Sequence, residues 1–142
     1  MGRSYLFECS RCGYRAKVSG KTDRGLDFFV QTILCRDCKQ LHDAVTRLRI
    51  PAEPPLALQK PNLGLRSRKL LNSQRIPTRP PNFDTALNRL PYRGVTRFRW
   101  LQFKPQCPVS HIHRIEEWTD PGKCPRCGLY LEKSALAYRI WD

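Results

Sequence analysis

The run CSRCGYRAKVSGKTDRGLDFFVQTILCRDC, residues 9–38, begins and ends on Cys-x-x-Cys, and CPRCG at 124–128 repeats the device near the other end. Such a turn brings two sulfurs to neighbouring corners of a tetrahedral ion, each about 2.3 Å from the metal. Backbone N–H groups inside the turn donate to the thiolates and steady them. Gly13, just past the first pair, permits the left-handed residue that closes such a knuckle; Pro125 and Gly128 fix the distal one. The seven cysteines fall in two groups. Cys9, Cys12, Cys35 and Cys38 lie in the first 50 residues, while Cys107, Cys124 and Cys127 come late, with His111 and His113 among them. Neither group has enough surrounding chain for a self-sufficient core, so each needs a staple.

Metal is the better staple. Disulfides belong to oxidising compartments, yet MGRSYLFECS carries no apolar export segment. Seven is also an odd number, which would leave one thiol over. The expectation is a cytoplasmic protein holding two zinc ions. Rubredoxin-type iron, the competing use of paired Cys-x-x-Cys, goes with an acidic surface, and this chain has a formal net charge of +14.

By proximity in sequence, the first centre should be Cys9, Cys12, Cys35 and Cys38, and the second Cys107, His113, Cys124 and Cys127. His111 is the alternative to His113, since C-x3-H and C-x5-H both reach; the longer loop leaves Val109 and Ser110 room to close. Both shells would be filled by protein ligands. Catalytic zinc keeps one position open and a base nearby, and neither H-E-x-x-H nor H-x-E before P-C-x-x-C occurs. The chain is therefore expected not to be an enzyme and to take no small-molecule substrate.

YLFEC and YRAKVSG read as strands turning near GKTDRG, and LDFFVQTIL as a strand returning to the metal. In KQLHDAVTRLRI, Leu41, Ala44, Val45 and Leu48 fall at i, i+3, i+4 and i+7, which predicts a helix after Cys38. His42 in that helix would be a surface or packing residue, because four thiolates already complete the shell.

The charge is uneven. Residues 60–104 hold eleven basic side chains against Asp84 alone. Eight of the twelve prolines fall in residues 51–91, a density that favours extended chain over helices or central strands. The candidate nucleic-acid contacts are Arg66, Arg68, Lys69, Arg75 and Arg79 on this arm, each able to release counterions from a phosphate backbone. In GVTRFRWLQFK, Arg97 and Arg99 lie on one face of a predicted strand and Phe98 and Trp100 on the other. Trp100 could stack on bases or pack into the core.

The pairs CSRC, CRDC and CPRCG resemble the zinc-ribbon and treble-clef superfamily, common in ribosomal proteins, transcription factors and RNA polymerase subunits. The likeness covers roughly residues 4–50 and 95–142, and the whole chain resembles prokaryotic double-zinc-ribbon proteins. The histidine in the second site departs from the pattern. The resemblance implies structural zinc and contact with nucleic acid or protein. The expected fold is thus a small metal-stabilised α+β chain: a four-cysteine module over 1–50, a basic Pro-rich arm over 51–93, and a three-cysteine, one-histidine ribbon over 94–142. Each module would be of short antiparallel strands, with one short helix after the first site. The expected role is non-catalytic nucleic-acid binding, with RNA preferred over DNA for want of a recognition helix. A large ribonucleoprotein such as the ribosome would be a natural setting, and no membrane is involved. The alternatives are an interaction adaptor within a larger complex and, behind it, electron transfer.

Overall fold

A computed structural model describes residues 1–52, 76–89, 92 and 97–142. The first 52 residues form five strands, β1 (Gly2–Glu8), β2 (Arg15–Val18), β3 (Thr22–Arg24), β4 (Phe28–Cys35) and β5 (Gln40–Pro51). A five-residue helix, α1 (Phe83–Leu87), follows, then β6 (Phe98–Gln102), β7 (Ile115–Glu117), β8 (Glu132–Lys133) and β9 (Arg139–Trp141). All the pairings are antiparallel, and they fall into two sheets.

Both sheets mix the two ends of the chain. In the first, β1 pairs with β2 along one edge, and with β8 and β9 along the other. In the second, the order is β3-β4-β5-β6, and β7 adds to the free end of β4, Cys35 opposite Ile115. The expectation of two zinc modules closed within 1–50 and 94–142 therefore does not hold. The short strands β7, β8 and β9 are too brief to pair among themselves and complete the edges of the longer N-terminal strands instead.

The expected helix after Cys38 is also corrected: residues 40–51 are the longest strand among the described residues. The apparent helical spacing comes from a β-bulge. Phe29 faces Arg47 while Val30 faces Val45, so Thr46 is an extra residue. Inward positions step by two from Leu41 through Asp43 to Val45, by three to Leu48, then by two to Ile50, all of them buried. Ala44 is buried too, because the start of β5 is covered on both faces, and a strand covered on both sides loses its alternation. The short helix lies elsewhere, inside the Pro-rich stretch that was expected to run extended. Pro80 and Pro81 precede it, and its Ala86, Phe83 and Leu87 pack against apolar side chains of β4 and β5. Most of the remaining arm, including Arg66, Arg68, Lys69 and Arg75, lies outside the described residues.

Two apolar clusters hold the sheets. One gathers Phe7, Tyr14, Ala16, Val18 and Leu41 around Trp118 and Leu131; the other gathers Phe28, Val30, Val45, Leu48 and Ile50 around Trp141. Trp118 meets Phe7 edge-on at 5.2 Å, and Trp141 stacks on Phe28 at 4.6 Å and 12°. Gly2 is required beneath the latter ring, since a Cβ there would stand 2.3 Å from it. Between the sheets, the buried Asp43 carboxylate accepts hydrogen bonds from the Ser19 N–H at 2.8 Å, the Ser19 hydroxyl at 3.1 Å and the Thr32 hydroxyl at 2.6 Å. Among the described residues, no helix is long and apolar enough to cross a membrane.

Candidate metal centres and nucleic-acid interface

The fold brings all eight expected ligands into two clusters, but exchanges the partners. Cys9 and Cys12 meet Cys124 and Cys127; Cys35 and Cys38 meet Cys107 and His113. Nearness in sequence was the wrong guide to pairing. β1 carries the first knuckle beside β8, which flanks the CPRC turn, whereas β4 delivers Cys35 beside β7, which follows His113.

The two knuckles of the first centre are built alike. The Cys9 N–H donates to the Tyr14 carbonyl at 2.8 Å and the Gly13 N–H to the Cys9 carbonyl at 3.0 Å. Correspondingly, the Cys124 N–H donates to the Leu129 carbonyl at 2.6 Å and the Gly128 N–H to the Cys124 carbonyl at 3.0 Å. Gly13 and Gly128 are both left-handed, at φ +73° and +79°. The sulfurs of Cys9 and Cys127 are 3.3 Å apart and those of Cys12 and Cys124 3.6 Å.

The second centre joins one such knuckle to an open loop. Lys39, after Cys38, takes the left-handed conformation at φ 53° although it is not glycine. The Cys38 N–H points at the Cys35 sulfur, 3.3 Å away. Across from it, His113 Nδ1 lies 3.3 Å from the Cys38 sulfur and 3.6 Å from that of Cys35, and Cys107 lies 3.7 Å from Cys38. His113 is aimed by its neighbour: the Arg114 N–H donates to Asp37 at 2.7 Å, and the Arg36 N–H to the Arg114 carbonyl at 2.9 Å. His111 is exposed and outside the cluster.

These donor sets fit a tetrahedral ion such as zinc. With metal–sulfur distances of about 2.3 Å, tetrahedral corners lie about 3.8 Å apart, close to the 3.3–3.7 Å separations between ligand sulfurs. Proton affinities agree. The backbone N–H of Cys12 leads the groups that lower the Cys9 thiol to about 6, against burial. At Cys107 burial is outweighed by the N–H groups of Ser110 and Val109, and the thiol drops to about 7. The neighbours behave oppositely. Cys12 has a lowering backbone hydrogen bond at Tyr14, but burial and the sulfurs of Cys124, Cys9 and Cys127 push it up to about 11. Burial, then Cys35 and Cys107, push Cys38 up to about 12. Each cluster gives up one proton easily and resists losing the next, because thiolates so close together repel until a cation sits among them. The two clusters thus suit a protein that binds two metal ions.

A second feature lies on the outer face of the second sheet. Arg47 and Arg49 project from β5 on the same side. Arg47 stands opposite Phe29 and Arg49 opposite Trp100. The Arg49 guanidinium lies 3.8 Å over the Phe98 ring and that of Arg47 5.5 Å from the Phe29 ring. Trp100 is 42% exposed, touches Phe29 edge-to-face at 5.0 Å, and belongs to neither apolar cluster. Arg24 pairs with Phe29 from β3. Arg97 and Arg99 are exposed, but strand alternation sets them on the side away from Trp100; Arg79 is exposed ahead of α1. The arginines beside the aromatic rings were missed because residues 46–50, Thr-Arg-Leu-Arg-Ile, were read as helix. Their alternation was the available signal.

No protein family matches this chain, and the search of curated proteins and solved structures likewise returns no match.

Proposed function

We propose that this is a non-catalytic zinc protein that binds nucleic acid, single-stranded RNA in preference to DNA, as part of a ribonucleoprotein. The carrying observation is the interleaving of Arg24, Arg47 and Arg49 with Phe29, Phe98 and Trp100 on one exposed sheet face. Guanidinium groups beside the exposed Trp100 ring and the half-buried Phe29 and Phe98 rings suit a strand whose phosphates need cations and whose bases need flat surfaces. The basic residues of 60–104 run directly into β6, the edge of this face. Among the described residues the helix α1 has five residues, too short to read a major groove. Four protein donors at each zinc leave no coordination position for a substrate, so the ions serve the fold.

The test is fluorescence anisotropy of the zinc-loaded protein with mixed-sequence single strands over a salt series. Arg47→Gln with Arg49→Gln should flatten the log–log salt slope by about 0.7 per lost phosphate contact. Trp100→Ala should weaken binding by about 1–3 kcal/mol without loss of zinc. A parent protein that ignores RNA and DNA at low salt would instead favour the adaptor reading.

A further inference from the structure

Away from that face, a groove runs between the two sheets. Its larger lobe, about 650 Å³, is lined by Leu6, Tyr14, Lys17, His42, Arg126 and Tyr138, among others, and a smaller lobe of about 390 Å³ shares Lys17, Leu41, His42 and Tyr138. Both volumes fall in the range of about 300–1,000 Å³ typical of small-ligand pockets. The lobes differ in charge. Asp43 and Asp84 line the smaller one, whereas the larger holds Arg15, Lys17 and Arg126 and no acidic side chain. Arg15 is engaged by Glu8 at 3.0 Å, while Lys17 and Arg126 have no acidic partner among the described residues.

The hydrogen bonding of the larger lobe is incomplete in one direction. The Tyr14 phenol oxygen accepts from the Leu41 N–H at 2.7 Å, and the Tyr138 oxygen accepts from Lys17 Nζ at 2.8 Å. Both therefore have an O–H left to donate. The Arg126 guanidinium lies 5.0 Å over the Tyr14 ring, which holds its charge beside the lobe. Donors and positive charge converge where no acid answers them.

We propose that this lobe binds the phosphate of a nucleotide, with Lys17, Arg126 and the two phenols holding the phosphate and the exposed Tyr138 ring contacting the base or sugar. The nucleotide could be free or the terminal unit of a strand, and only the second source rests on the nucleic-acid reading above.

Calorimetric titration of the full-length, zinc-loaded protein tests this with adenosine monophosphate, inorganic phosphate and adenosine. Adenosine monophosphate should bind, and adenosine should bind at least about tenfold more weakly, since a hydrogen bond to a charged group contributes about 1.5–3 kcal/mol. Lys17→Gln should weaken binding by a similar factor, as should Tyr138→Phe, which keeps the ring in place. A 5′-phosphorylated strand that outbinds its unphosphorylated twin, with the preference lost in Lys17→Gln, assigns the end of a strand. Equal binding of the two strands, with the monophosphate still bound, assigns the free nucleotide. The proposal falls if the parent protein takes up neither monophosphate nor phosphate at millimolar concentration, or if Lys17→Gln/Arg126→Gln binds the monophosphate as well as the parent does. Failure here with strand binding intact at the outer face removes the groove alone. Nucleotide uptake without strand binding removes the nucleic-acid reading and keeps the groove.

Discussion

Residues 1–52 and residues 97–142 each supply four metal ligands, but they are incomplete in opposite ways. The first stretch has long strands, eight residues in β4 and twelve in β5, and most of both apolar clusters. It lacks half the ligands of either centre. The second stretch has those ligands, but its last three strands run to three, two and three residues. Apart from the metal ligands, its buried apolar side chains are Trp118, Leu131 and Trp141, and each sits in a cluster made chiefly by the first stretch. One part brings a core without a closed shell, and the other ligands without a core. A metal ion on either centre therefore ties sequence-distant segments together, where a conventional knuckle pair would close only a local loop.

The largest effect should follow from removing metal. Structural zinc contributes about 10–16 kcal/mol in small zinc-dependent folds, as much as or more than the whole stability of a typical domain, about 5–15 kcal/mol. Chelation should thus unfold both ends in one transition. The sharper experiment is Cys124→Ser, followed by amide exchange in the presence of zinc. Because Cys124 shares its centre with Cys9 and Cys12, protection should fall in β1 and β2 as well as near the mutation. If 122–131 opened while β1 and β2 stayed protected, the centres would close within their own halves and the crossed pairing would be wrong.

Next in size is the contrast between two tryptophans of the second stretch. Trp118 is 5% exposed, and its indole N–H donates to the Lys123 carbonyl at 3.0 Å; Trp100 is 42% exposed. Trp118→Ala should cost about 3–5 kcal/mol in denaturant unfolding of the zinc-loaded protein. Trp100→Ala should stay within about 1 kcal/mol, as an exposed substitution does. Equal losses would mean that Trp100 belongs to the core and that the outer face is not built for a partner.

Ligand chemistry was legible in the sequence because a knuckle is local. The positions of Cys9, Cys12 and Gly13, or of Cys124, Cys127 and Gly128, specify their turns whatever the rest of the chain does. Pairing of the knuckles was not legible, because it depends on which strand edges β7 and β8 occupy, and segments of three and two residues carry almost no pattern of their own. In β5 the pattern was present but misleading: one extra residue, Thr46, turned a period of two into the spacing of a helix. The outer face was hidden for the same reason, since Arg47 and Arg49 share a side only once β5 is a strand.

The smallest effect concerns the seam where the two stretches meet. Asp43 is buried, and burial, aided by the charge of Asp23, raises its carboxyl from 3.8 to about 6 against the hydrogen bonds from Thr32 and Ser19. The same node reaches the second stretch through the backbone: the Trp118 N–H donates to the Thr32 carbonyl at 3.1 Å and the Asp120 N–H to the Gly20 carbonyl at 2.7 Å. A raised carboxyl binds its proton more tightly in the folded chain than in the unfolded one. Its contribution to stability is therefore complete below about pH 3.8 and is lost as pH rises through about 6. At 1.36 kcal/mol per pKa unit the whole change is on the order of 3 kcal/mol. Asp43→Asn cannot ionise. It loses part of the acceptor set at every pH, so the variant should be less stable than the parent at about pH 5.5, and the gap should narrow by about 1 kcal/mol between about pH 5.5 and about pH 7.5. The comparison stays above about pH 5, so that the thiolate ligands keep their metal and both proteins stay folded. Paired denaturant titrations across that range measure the gap directly, and a gap that does not change with pH would show that Asp43 is ionised throughout and that its hydrogen bonds outweigh its burial.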